Sequence, residues 1–206
     1  MKLLKVTGVM AAIAMIWSGS TLAQDVDRPD WTFGQVRYAI GDSGDSGGGS
    51  ASNEDTDAWG VDASIGFAEL WHVQGGYSDG EIEGTDFDAY ELVVGVHPNV
   101  GDNTDLVFDL VYGNIDPDVS GSQDADFFGV SAGFRHMATQ RFEINMMANY
   151  RDSDNFSGSG SHDDVSAEMG GRFNFGAFSS GVTYLFARAN QEDAFQVDLR
   201  WSFDCC

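Results

Sequence analysis

The sequence predicts an all-β protein: a membrane-spanning, antiparallel up-and-down β-barrel of about ten strands, with eight as the alternative count. Three observations carry this. Apolar and polar residues alternate over segments of seven to eleven residues, the period of a strand with two different faces. Aromatic residues gather at both ends of the apolar face, as they do at the two interfaces of a bilayer. The connections alternate between short turns and long segments rich in Asp, Ser and Gly, which suits a barrel with turns at one rim and loops at the other.

The chain begins with a segment of a different kind. Lys2 and Lys5 precede a short apolar run, Val9 to Trp17, followed by Thr21-Leu22-Ala23. This reads as a secretory signal peptide over 1–23, with a mature start at Gln24 and one barrel domain over 24–206. The run is about half of the roughly 20 residues a spanning helix needs. Both lysines lie in that segment, so the remainder carries eight Arg against 33 Asp plus Glu, a formal charge of −25. Such a chain repels nucleic acid.

The first alternating segment is Thr32 to Ile40, with Val36, Tyr38 and Ile40 on one face and Gln35 and Arg37 on the other. Trp59 to Phe67 follows, then Trp71 to Ser78, whose shortness makes it the first to be reassigned in an eight-stranded count. Tyr90 to His97, Leu106 to Tyr112, Phe128 to Arg135, Phe142 to Tyr150, Val165 to Phe173 and Phe178 to Phe186 continue the pattern. Phe195 to Phe203 (FQVDLRWSF) ends it, with an aromatic at each end of an unbroken nine-residue alternation. In a closed barrel this last strand pairs with the first. Long connections fall at Gly41–Thr56, Asp79–Asp86, Asn114–Asp126 and Asp152–Asp163; short ones fall near Glu69–Leu70, Pro98–Thr104, Met137–Gln140 and Asn174–Ala177.

The polar face predicts a lumen charge network of Arg37, Asp62, Glu91, Asp109, Arg135, Glu143, Glu168, Arg172, Asp198 and Arg200. A barrel of this size is narrow enough for side chains to fill, and mixed signs would pair across it because a buried lone charge is costly. The apolar face predicts a girdle of Trp59, Trp71, Tyr77, Tyr112, Phe134, Phe142, Tyr150, Phe173, Trp201 and Phe203. A soluble sandwich or lipocalin-like fold would account for the alternation but not for rings at both rims.

With these residues in place, the chain resembles a small Gram-negative outer-membrane β-barrel, in the broad class of the OmpA transmembrane domain and OmpX-like proteins. The resemblance covers the whole chain after the signal segment. It implies a porin-like fold in the cell envelope, contact with outer-membrane lipid and lipopolysaccharide, and handling by the barrel-assembly machinery. The C-terminal strand carries the assembly signal in such proteins: Gln196 matches its polar position, and Trp201 and Phe203 match its hydrophobic pair. Asp198 stands where that signal prefers Gly, and Asp204-Cys205-Cys206 extends past the usual terminal aromatic.

No catalytic constellation is expected. Gly41 to Gly48 (GDSGDSGG) has the letters around a serine-protease nucleophile but lies in an acidic low-complexity loop. His72, His97 and His136 fall at the short-turn ends, and His162 beside Asp163 and Asp164 is an outward His–carboxylate neighbourhood. The acidic loops could hold divalent cations weakly, yet no ordered calcium loop is present, so no metal site and no cofactor are assigned. Cys205 and Cys206 read as a tail, with metal binding or intermolecular pairing as alternatives. The expected role is non-enzymatic: a monomeric structural or surface-exposed membrane barrel with a side-chain-filled lumen. A narrow pore for small solutes or ions is the alternative, and an outer-membrane enzyme comes last.

Overall fold

The computed structural model describes residues 28–42, 55–82, 85–118, 124–153, 162–187 and 193–203. The signal segment, most of the GDSGDSGG stretch, and Cys205 and Cys206 lie outside them. Ten strands follow one another: β1 (Phe33–Asp42), β2 (Asp55–Phe67), β3 (Trp71–Ile82), β4 (Thr85–Val96), β5 (Thr104–Pro117), β6 (Ala125–Thr139), β7 (Phe142–Ser153), β8 (His162–Phe175), β9 (Phe178–Ala187) and β10 (Asp193–Ser202). Each pairs antiparallel with its sequence neighbour, and β1 pairs with β10 to close the barrel. Closure removes every free strand edge, which is the condition for a sheet in lipid. No helix among the described residues is long and apolar enough to cross a membrane.

The closing seam runs in register from Phe33 opposite Ser202 to Asp42 opposite Asp193. Beyond it, the Phe203 amide donates to the Thr32 carbonyl at 2.9 Å, so the seam extends one step past the last strand residue.

Alternation sorts the residues by face, and the sorting is inverted relative to a soluble protein. Leu110, Phe128 and Ile65 point outward and are 66%, 65% and 60% exposed. Asp62, His72, Arg135, Glu143, Arg172 and Asp198 point inward and are buried. An apolar exterior around a charged interior is stable only where lipid is the outer solvent.

Strands are longer than the apolar alternation implies. β5 and β6 have 14 and 15 residues, against the roughly 9–11 that cross a bilayer when tilted. The Asp79–Asp86 connection is mostly strand: β3 runs to Ile82 and β4 starts at Thr85. The reason is that backbone pairing continues past the lipid boundary. Asp79 opposite Asp88 and Glu81 opposite Asp86 extend the ladder with acidic side chains, which carry no hydrophobic period. At the other rim the turns are tight. Ala68 and Glu69 take left-handed backbone conformations (φ 52° and 58°) between β2 and β3, and Gly176 does so (φ 79°) between β8 and β9. Reversals of that hand fit the twist of the strands they join.

The lumen is not uniformly polar. Val93, Val111 and Phe127 form a buried apolar cluster inside it, with Ile115 packed against them. Gly113 faces the Phe127 ring, and a side chain there would run into it.

Candidate functional site

The inward rows are set by register. Arg37 lies opposite Asp198, Asp198 opposite Gly181, Gly181 opposite Arg172, and Arg172 opposite Glu143. Positive and negative side chains therefore alternate around the lower lumen, and Gly181 gives Asp198 and Arg172 room to meet over it.

Two of the pairs are buried and a third is half-buried. Arg135 grips Glu143 with both arms of its fork, Nε to Oε1 at 2.7 Å and Nη2 to Oε2 at 3.0 Å. Arg172 donates to Asp198 through Nη2 and to Ser179 Oγ through Nη1 at 3.1 Å. Arg37 sits 3.4 Å from Asp62, whose side chain is 2% exposed. Such charge-assisted, forked bonds are the strong class, and they hold only while both partners stay.

Two contacts run as chords across the lumen. Arg172 on β8 reaches over β9 and β10 to Gln35 on β1, at 3.3 Å. Arg151 on β7 reaches Glu91 on β4, at 3.0 Å. Arg151 also lies over the Phe127 ring at 5.1 Å. Glu168 faces the lumen from β8, but the structure gives it no ion pair among the described residues.

A residue that alternation did not single out occupies the short-turn end. Trp31, just before β1, lies inside the barrel mouth. Its ring stacks on His72 at 4.4 Å and on His97 at 4.3 Å, and the Arg135 guanidinium lies 4.4 Å from its centroid. Its Nε1 donates to Asp105 Oδ2 at 2.9 Å, while Asn99 Nδ2 donates to the other oxygen at 3.1 Å. Arg135 Nη1 also donates to the Asp30 carbonyl at 3.0 Å. His72 Nε2 lies 3.1 Å from Asp109 Oδ1 beneath the stack, and Gly95 leaves space for both side chains. His97, in the turn beyond β4, is held below its ordinary pKa by burial, against weaker pulls upward from the Trp71 carbonyl and Asp105.

All ten residues of the predicted charge network thus sit on the lumen side, but the pairing is regional. Asp109 joins the histidines at the mouth, Glu91 joins Arg151 higher up, and Arg200 meets Gln35 rather than a carboxylate, at 3.0 Å. Trp31, Asp105, Gln35, Ser179 and Arg151 were not among the predicted site residues. Gln35 and Ser179 share register rows with Arg200, a signal that the alternation contained.

The girdle residues face outward, and those nearest the long loops carry a repeated device. Trp59 Nε1 donates to Asp79 at 2.8 Å, Tyr112 to Asp126 at 3.1 Å and Tyr184 to Asp193 at 2.6 Å; Tyr77 donates to Asp88. Each ring body lies against the apolar band while its polar tip meets a carboxylate. Aromatic neighbours link the belt laterally, with Tyr77 against Tyr90 at 5.3 Å and Tyr112 against Phe128 at 5.0 Å. At the short-turn rim Trp201 lies against Phe178 and Phe203, at 5.9 and 4.7 Å. Trp71, Phe134, Phe142 and Phe173 share that half of the apolar face, and Tyr150 shares the other. Of the assembly-signal residues, Gln196 faces the lumen, opposite Ala39 and Thr183. Trp201 and Phe203 form part of the outward-facing belt at the short-turn rim. Asp198, at the position where Gly is preferred, is occupied by its pairing with Arg172.

Among solved structures, a NanC porin covers 82% of this chain and 100% of its own, at 7% identity and a TM-score of 0.53. The chain has the fold of an outer-membrane β-barrel. Lower-scoring matches include a KdgM porin (8% identity, TM-score 0.46, 82% of this chain and 99% of that one). Another is the translocator domain of the autotransporter NalP from Neisseria meningitidis (12% identity, TM-score 0.45, 97% and 98%). No protein-family model matches this outer-membrane-type barrel, and no curated protein matches it in sequence.

Proposed function

We propose that this protein is an integral outer-membrane barrel of a Gram-negative envelope, exported by its 1–23 signal segment. Its role is structural and surface-exposed, and its lumen is filled by its own side chains. The observation that carries the filled lumen is the set of contacts reaching across it: Trp31 locked at the mouth, Arg172 to Gln35, and Arg151 to Glu91. A ten-stranded barrel has little interior beyond what side chains occupy. Its partners on this reading are outer-membrane lipid and lipopolysaccharide outside, and the barrel-assembly machinery during insertion through Gln196, Trp201 and Phe203. The acidic long loops would meet the exterior and associate weakly with divalent cations. The protein works as a monomer without a cofactor and without catalysis.

The alternative is a narrow pore, favoured by Glu168, a lumen carboxylate with no ion pair among the described residues. Proteoliposome swelling separates the two. Vesicles carrying the full chain should swell in an isosmotic solution of a small sugar or amino acid no faster than empty vesicles. Swelling that rises with the amount of protein would overturn the filled lumen.

A further inference from the structure

One arginine of the lower lumen, Arg200, has no carboxylate partner of its own among the described residues. Three carboxylates share this part of the lumen with Arg200: Glu143, Asp198 and Asp62. Glu143 is engaged by Arg135 and Asp198 by Arg172. With Asp62 held by Arg37, each of these carboxylates has another arginine as its partner, and Arg200 makes no ion pair among the described residues. It takes only a neutral oxygen, Gln35 Oε1 at 3.0 Å, and Arg172 Nη2 donates to the same atom at 3.3 Å. Two like charges thus converge on one amide oxygen. The Arg200 guanidinium lies 3.6 Å from the Phe33 ring centroid, a contact that orients it without neutralising it. Its Nη1 and the Nε of the 5%-exposed Arg172 are buried donors with no acceptor among the described residues. An Arg cannot lose its proton to escape this, and an uncompensated buried charge is strongly unfavourable.

We propose that Arg200, with Arg172 and Gln35, forms a binding site for a small monovalent anion, a halide or the carboxylate of a small organic acid. The anion pairs with Arg200 and accepts from the free guanidinium N–H groups. Asp62, the next carboxylate along this row, lies 3.4 Å from Arg37 and accepts from Gln35 Nε2 at 3.5 Å, but it makes no ion pair with Arg200. The site goes beyond the filled-barrel reading and stands apart from it, since an anion held at Arg200 fits either a closed or a conducting lumen.

The test uses the full chain refolded in a zwitterionic detergent. Its unfolding temperature is followed while chloride, and separately acetate, replaces a bulky organic sulfonate at constant ionic strength. The expected result is a saturable rise of several degrees with one or both anions, and loss of that rise in Arg200→Gln. A wild-type curve that is flat in both anions overturns the site, as does an unchanged rise in Arg200→Gln. Should Arg200→Gln fail to fold, bromide soaked into wild-type crystals decides. An anomalous peak within hydrogen-bond distance of Arg200 supports the site, and its absence there overturns it. Vesicle swelling is read independently, so failure of the anion site leaves the filled lumen standing, and the reverse also holds.

Discussion

Trp31 Nε1 donates to Asp105 Oδ2 at 2.9 Å, joining residues 74 positions apart and holding the indole in the barrel mouth between two histidine rings. Removing the indole takes away the hydrogen bond, both stacks and the contact with Arg135. Trp31→Ala should destabilise the barrel by about 2–4 kcal/mol, toward the lower part of the range for large-to-small aromatic changes because the ring is only partly buried. Equilibrium unfolding in detergent measures it. A loss within the range of a neutral surface substitution would mean that the plug is not a structural element.

Breaking a buried forked ion pair differs from deleting it whole. Arg135→Met leaves Glu143 charged inside the lumen and should cost about 3–5 kcal/mol. The double variant Arg135→Met, Glu143→Leu removes both charges and should recover most of that loss. Additive losses in the two single variants would argue that the pair is not coupled.

How much of this was legible in the sequence depends on the kind of interaction. Alternation alone placed Arg135, Glu143, Arg172 and Asp198 on one face and Leu110, Val197 and Trp201 on the other, because a strand has period two whatever it packs against. It also set the closing partner of Phe195–Phe203. The chords were not legible: Arg172 to Gln35 and Arg151 to Glu91 depend on the barrel's stagger, which no local pattern encodes. Trp31 was missed because it precedes the first alternating residue. Phe127 was hidden beside the outward Phe128, since an apolar residue turned inward breaks the rule that reads the lumen as polar. The outer strand extensions were missed because Asp79, Glu81, Asp86 and Asp88 pair through backbone.

The outward face should punish charge. Val197 lies outward on β10 between the two aromatic rims and is 47% exposed to the surroundings of the barrel. Val197→Arg should cost about 2–4 kcal/mol in a lipid bilayer. A negligible cost in lipid vesicles would mean that this face does not meet hydrocarbon.

The polar tips of the girdle should each contribute modestly. Trp59→Phe keeps a ring in the belt and removes the donor to Asp79. The expected loss is about 1 kcal/mol, the net worth of one hydrogen bond. The loss should be smaller when Trp59→Phe is made in an Asp79→Ala background, which has no side-chain acceptor, if the bond is the cause. An equal loss in both backgrounds would assign the effect to packing instead.

Acid should weaken the mouth through His97. Burial lowers its pKa in the folded barrel, whereas the unfolded chain takes up the proton near 6.5. Below 6.5 the unfolded state therefore binds more protons, and stability falls as pH drops toward the lower folded value. The unfolding midpoint should fall more for the wild type than for His97→Asn between about pH 7.5 and pH 5.5. An identical fall in both would remove His97 as the cause.

The central claim is that the lumen is filled by side chains from Trp31 at the mouth to the Arg151–Glu91 chord above it. Single-channel recording in planar lipid bilayers tests it most directly. Insertion of the wild-type protein should add no discrete conductance steps above the bare membrane, and steady, reproducible steps from the wild-type chain would contradict the account.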